Sequence, residues 1–136
     1  MWVMVIQILV FGTRIMDNKT IVTEFFNEVY TKKNYDYIMQ YFSEEYIDNS
    51  PTNARSNVDV VKVLKEVEEQ YSELRAEVVD VFAENCMVAV RVLFEGIHSG
   101  KRINFEALEY FKVENEKIVE SWGYWPDKEI ERQLLA

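Results

Sequence analysis

Residues Cys86–Ile97 read CMVAVRVLFEGI, and their alternation decides the class of fold. Cys86, Val88, Val90, Val92 and Phe94 fall on one face and Arg91 and Glu95 on the other, the period of two that an extended strand gives. Upstream, Leu74, Ala76 and Val78 keep that period. Val79, Val81 and Phe82 then continue in shifted phase, which predicts a bulge near Val78-Val79. Downstream, Ile103–Val113 and Lys117–Trp125 complete a meander. Glu84-Asn85 and Glu114-Asn115-Glu116 supply hairpin turns, because asparagine tolerates the left-handed backbone such turns need. His98–Lys101 makes the opposite turn with the help of Gly100. Pro126 ends the last strand, and Asp127 is placed to cap a short helix containing Ile130, Leu134 and Leu135.

Before Ser72 the period is helical. Asp17 or Asn18 caps a helix predicted over residues 19–33, with Ile21, Val22, Phe25, Phe26, Val29 and Tyr30 in one apolar stripe. A shorter helix is expected from Tyr35 to Phe42. Ser43–Pro51 reads as a break and an extended segment, since Pro51 disfavours helix in the residue before it. Ser56 and Asp59 form a variant capping box that starts a third helix, predicted to run to about Tyr71 with Val60, Val63, Leu64 and Val67 inward. Helices followed by strands give an α+β fold in which the helices bury the apolar face of the sheet.

The 136 residues fit one domain, with 49% hydrophobic and 14% aromatic content against extensive disorder. A net charge of −9, with no basic cluster beyond Lys101-Arg102, argues against nucleic acid as a partner. The apolar opening MWVMVIQILVF is too short to span a bilayer and has no basic residue before Arg14, so neither membrane nor secretory signal is expected. Residues 1–15 read as an apolar N-terminal extension, of which Met1–Phe11 is β-rich and pairs with a sheet edge or meets another subunit, and residues 16–136 as the domain. Cys86 is the lone cysteine, which excludes an intrachain disulfide, reads as a small buried apolar residue and fits a cytoplasmic location. One cysteine and one histidine give no metal site of ordinary spacing. Walker, dinucleotide and RNA-binding fingerprints are likewise missing from the sequence.

Tyr46-Ile47-Asp48-Asn49-Ser50-Pro51, Gly96-Ile97-His98-Ser99-Gly100 and Lys117-Ile118-Val119-Glu120-Ser121-Trp122, in that order after paired helices, carry a resemblance. From about residue 17 to the C-terminus the chain resembles the SnoaL-like polyketide cyclases, within the nuclear transport factor 2-like fold. The resemblance implies a cone-like barrel, with N-terminal helices packed into a strongly curved antiparallel sheet, and a homodimer. It further implies cofactor-independent proton abstraction by a carboxylate just after the late tryptophan. That position is Gly123, which cannot take a proton. A histidine is frequent where this chain has Asn49, and another where it has Ser121. The segment after His98 is also shorter than in cyclase-like relatives.

Residue chemistry then offers substitutes. His98 is the first candidate acid or base, because a neutral imidazole accepts a proton while its other nitrogen is oriented. Glu106 and Glu109 lie on opposite faces of one strand, so one can meet a cavity and the other solvent. Glu106 is preferred as the base, with Phe105, Ala107, Phe111 and Val113 as the opposing apolar face. Tyr46, Asp48, Asn49, His98, Tyr110 and Trp122 are the candidate ligand contacts, aromatic area with polar handles. The expected function is binding of a small, largely apolar organic molecule, with proton transfer of the isomerase, cyclase or dehydratase type and no cofactor. The alternative is a noncatalytic binding or oligomerisation module.

Overall fold

The computed structural model describes residues 16–136; the apolar extension expected over residues 1–15 lies outside the described residues. Asp17 caps α1 (Asn18–Phe25), its carboxylate accepting from the Thr20 amide at 2.8 Å. The helix continues as a π-helical segment, Phe26–Thr31. α2 (Asp36–Tyr41) leads directly into β1 (Phe42–Asp48). Ser56 Oγ accepts from the Asp59 amide at 3.1 Å and starts α3 (Asn57–Gln70). The reciprocal half of the capping box is displaced by one residue: Asp59 accepts from the Arg55 amide at 2.9 Å. The remaining elements are β2 (Tyr71–Glu84), β3 (Met87–His98), β4 (Lys101–Glu114), β5 (Lys117–Tyr124) and α4 (Asp127–Leu135).

Strands β2 to β5 form the antiparallel meander, and the bulge falls where the phase slips, between Val78 and Asp80. The hairpins turn through Asn85 at φ 54°, Asn115 at φ 50° and Ser99-Gly100 at φ 52° and 76°. Cys86 sits in the first of these turns, half-buried, and not on the inner face of β3. Asp127 is the first residue of α4 and makes no cap; Pro126 precedes the helix without a side-chain bond.

The cone-like barrel expected from the resemblance, with its strongly curved antiparallel sheet, does not form. The sheet is open and five-stranded, in the order β1-β5-β4-β3-β2, so that β1 and β2 are separate edges. It is also mixed, because β1 runs parallel to β5, with Ile47 opposite Glu120 and Asp48 opposite Ser121. The physical reason lies in Phe42–Asp48. Only Phe42 and Tyr46 are buried in it, while Ser43 to Glu45 are polar and unburied. The segment therefore carries too little alternation to read as a strand, yet edge pairing needs only its backbone groups.

The inner face of the sheet carries Val88, Val90, Val92 and Phe94 of β3 with Ile103, Phe105, Ala107 and Phe111 of β4, all buried. α1 covers β2 and β3, α3 lies against β1 and β2, and α4 packs on β4. Phe26 has no exposed surface and meets Tyr30, Phe94 and Phe111 at ring-centroid distances of 5.6, 6.2 and 5.8 Å. Each such fully buried side chain stabilises the fold by roughly 1.5–3 kcal/mol. α4 also closes the stretch of β4 that β5 does not reach. Gln133 accepts from the Asn104 amide at 3.0 Å and donates to its carbonyl at 2.6 Å, so neither group is left unpaired. Among the described residues no helix is long and apolar enough to cross a membrane.

Candidate active site

The helices and the sheet leave a pocket of about 250 Å³ between them. Phe25 of α1, Phe42 of β1, Val60 and Leu64 of α3, Phe111 of β4 and Trp125 make its apolar wall. Glu109 also faces into it. Strict alternation puts Glu109 on the same side of β4 as Phe105, Ala107, Phe111 and Val113. Its Oε2 is closed off from solvent and has no hydrogen-bond partner. Burial is the main cause that pushes this carboxyl up to about 7, and the charge of Asp48 adds to the rise.

Gly123 explains how Glu109 fits. The two residues are paired across the β4–β5 ladder. A Cβ on Gly123 would stand 2.5 Å from Glu109 Cγ and 3.1 Å from its Cβ, closer than packed carbons approach. The stem of Glu109 thus fills the space a side chain at position 123 would need. The carboxylate missing from β5 is matched by one reaching the same space from β4.

The π-helical segment contributes a second polar group. Its wider turn, seen in the Lys32 amide bonding to the Asn27 carbonyl at 3.0 Å, brings residues five apart onto one face. Phe25 and Tyr30 therefore stand together, 5.6 Å between centroids, and both line the pocket. From β1, Tyr46 is hydrogen-bonded to the Ser121 hydroxyl inside the pocket wall. Burial raises the pKa of both tyrosines, with the charge of Glu109 contributing to each, so both remain neutral hydroxyls near pH 7. Asp48 borders the opening, accepting from the Ser50 amide at 2.9 Å, the Ser50 hydroxyl at 2.7 Å and Thr52 Oγ1.

Of the residues singled out from sequence, Tyr46 and Asp48 line this pocket. Asn49 instead ties β1 to β5, its Nδ2 donating to Glu120 at 2.9 Å and to the Ser121 carbonyl at 3.2 Å. His98 ends β3, edge-on to Tyr71 at 4.7 Å with Nδ1 2.9 Å from Ser99 Oγ, and is not part of the lining. Glu106 lies exposed on the outer face of the sheet, where it accepts from Arg91 at 3.1 Å. Tyr110 and Trp122 stack on that same outer face, 4.8 Å between centroids. Glu109, Tyr30, Ser121 and Asp127 are among the pocket residues that sequence reasoning did not choose. The parity of β4 was the available signal for Glu109, since it matches the buried Phe105 and Phe111 and Glu106 does not. Among the described residues no group of His, Cys, Asp and Glu is arranged to hold a metal ion.

Comparison with known proteins places this arrangement. Among solved structures, wild-type IdmH from Streptomyces antibioticus superposes with a TM-score of 0.81 at 14% identity, covering 89% of this chain and 100% of its own. TsrD from Streptomyces laurentii gives 0.79 at 18% identity, covering 88% and 98%. A SnoaL-like polyketide cyclase from Agrobacterium tumefaciens gives 0.76 at 18% identity, covering 88% and 99%. At these identities the likeness is one of fold. No curated protein matches the chain. The SnoaL-like polyketide cyclase family matches residues 20–134, nearly the whole of what the structure describes. On that match the chain belongs to the SnoaL-like polyketide cyclase family, within the nuclear transport factor 2-like fold.

Proposed function

We propose that the protein binds a small, largely apolar carbonyl compound and moves a proton on it without a cofactor, with Glu109 as the general base. The observation that carries this reading is a carboxylate enclosed in an apolar pocket with one oxygen unpartnered and its pKa raised to about 7. A base poised near the working pH combines sufficient basicity with a sufficient ionised fraction. In its ionised form Glu109 takes a proton from the carbon next to the carbonyl, and the electron pair moves onto the carbonyl oxygen. Tyr30 or Tyr46, held as a neutral hydroxyl, donates to the developing enolate oxygen. The protonated Glu109 then returns its proton to the same carbon, which gives exchange, to the far carbon of a conjugated dienolate, which gives isomerisation, or to the alkoxide formed when the enolate carbon attacks a second carbonyl, which gives ring closure. His98 and Glu106 have no part in this scheme.

The test is deuterium uptake from heavy water into 2-tetralone, with binding followed by fluorescence and by titration. The expected result is exchange above the buffer rate, rising with pH and levelling off above about 7, where Glu109 is ionised. Tetralone that binds but exchanges at the buffer rate would overturn the catalytic reading in favour of a binding module.

Assembly as a homodimer belongs to the same proposal. On the outer face of the sheet Phe82 is 70% exposed, Leu108 71% and Tyr124 67%, beside the Tyr110–Trp122 stack. In the registers, Phe82 pairs with Ala89, Ala89 with Tyr110 and Tyr110 with Trp122, an apolar row across β2 to β5. A second copy applied through a two-fold axis would cover such a row with itself. Sedimentation of Leu108→Glu is expected to show a monomer where the unchanged chain sediments as a dimer. A monomeric unchanged chain would dispose of the idea.

A further inference from the structure

The pocket is acidic as well as apolar. Asp48, Glu109 and Asp127 line it, and among the described residues no lysine, arginine or histidine does. Arg55, next in the chain to the lining residue Ala54, is turned onto backbone, donating to the Asp48 carbonyl at 3.0 Å and the Ala54 carbonyl at 3.1 Å. Glu109 Oε2 therefore has no counter-charge and no donor, although the folded chain holds it out of water. A buried carboxylate is normally paired or hydrogen-bonded, and an unpaired one marks a missing partner. Around it stand Tyr30, Tyr46, Phe25 and Trp125, rings whose faces attract a cation.

We propose that the pocket is a site for an organic cation, an apolar ring compound carrying a protonated amine whose ammonium lies between Glu109 and Asp48. This rests on the reading of the Glu109 pocket as the ligand site and adds the charge of the ligand to it. An ammonium there gives the Glu109 carboxylate, which lines the pocket, a charge-assisted hydrogen bond, the stronger kind. The same arrangement rejects carboxylates and phosphates, which would face like charge with nothing to offset it. An amino ketone satisfies both readings, since the ammonium keeps Glu109 in its basic form below pH 7.

The titratable groups around Glu109 set the proton count on binding. Those that share the pocket lining with it are Tyr30 from the π-helical segment, Tyr46 and Asp48 from β1, Tyr124 from β5 and Asp127 from α4, and the charge of Asp48 acts on it. Tyr30 and Tyr46 stay neutral near pH 7. With Glu109 about half protonated near pH 7, an ammonium that pins its ionised form releases protons. A neutral ketone that accepts a hydrogen bond from the acid form takes protons up.

Calorimetry at pH 7 in buffers of different ionisation heat, with 2-aminotetralin, 2-tetralone and tetralin-2-carboxylate, separates the cases. The expected result is aminotetralin binding at least ten-fold more tightly than tetralone, with proton release, and no binding of the carboxylate. In Glu109→Gln the preference for the amine should fall by at least ten-fold while tetralone still binds, which also shows that the pocket is intact. Aminotetralin binding no better than tetralone, or without proton release, overturns the inference. Deuterium exchange into tetralone under the same conditions would then still uphold Glu109 as base. Tight amine binding without tetralone exchange has the opposite meaning: the cation site stands and the proton-transfer reading falls.

Discussion

Glu109→Gln is expected to lower deuterium exchange into 2-tetralone by about 10² to 10⁴-fold, the usual worth of a positioned general base, while leaving a protein more stable than the parent above neutral pH. The two effects have one cause. Glutamine fills the same space but cannot take a proton, and it removes a charge that the fold keeps from water. The direction of the stability effect follows from proton binding. The carboxyl of Glu109 titrates at about 7 in the folded chain, against 4.5 for an ordinary glutamate. Between those values the folded state holds more protons than the unfolded one, so stability falls as pH rises through that window and is flat above it. The loss is at most about 3 to 4 kcal/mol, from about 1.4 kcal/mol for each unit of pKa difference. Denaturant unfolding at pH 5 and pH 8 should therefore show a drop for the parent that is largely absent in Glu109→Gln. A variant that keeps its exchange rate, or a parent as stable at pH 8 as at pH 5, would remove Glu109 from the role given it.

Gly123→Ala is expected to destabilise the protein, although glycine to alanine in a strand ordinarily helps. Restricting the unfolded chain gains about 0.4–1 kcal/mol where the backbone tolerates a side chain. Against that stands a Cβ placed 2.5 Å from Glu109 Cγ. Overpacking of this kind costs about 1–3 kcal/mol, so the clash should win. Relief requires Glu109 to swing away or the two strands to part, and either moves the carboxylate off its target. A displacement of about 1 Å at a catalytic group can cost about 10²-fold in rate. The decisive variant is Gly123→Ala combined with Glu109→Gly, where the close carbons are gone. There the alanine at 123 should cost little or stabilise, giving a coupling above about 1 kcal/mol in a double-mutant cycle. Additive effects would mean that the two positions do not share space.

These expectations depend on features that were unequally visible in the sequence. The order of the meander was legible, with the bulge at Val78 and the asparagine turns, because alternation and turn chemistry act within a few residues; Cys86, read as the first inward residue of its strand, and the register shifts at Ser72–Arg75 and Lys112–Val113 were not. The capped starts of α1 and α3 were legible for the same reason. β1 was read only as an extended segment, since Ser43, Glu44 and Glu45 carry no apolar pattern and nothing local announces its parallel pairing with β5. The open mixed sheet followed from that missed pairing, and the barrel expected by resemblance gave way to it. Gly123 was correctly identified as a position without a carboxylate. What filled the gap sat opposite it on β4, a relation across strands that becomes visible only once the register is known. Tyr30 was hidden differently: a period of 3.6 assigned it to the core stripe, and only the wider π turn brings it to the pocket beside Phe25.

The parallel edge also bears on how the protein acquires its pocket. The Tyr46–Ser121 bond joins residues 75 apart in the chain, whereas each hairpin of the meander closes through a short turn. The entropy of closing so long a loop is met before the contact returns anything, and distant pairings form slowly for that reason. β2 to β4 can therefore assemble first, with β1 docking onto β5 as a late step. An edge strand with few buried side chains is also among the first to detach in brief local openings of the native state. The wall that carries Tyr46 and Asp48 is thus the one able to lift and readmit solvent while the rest of the sheet stays folded.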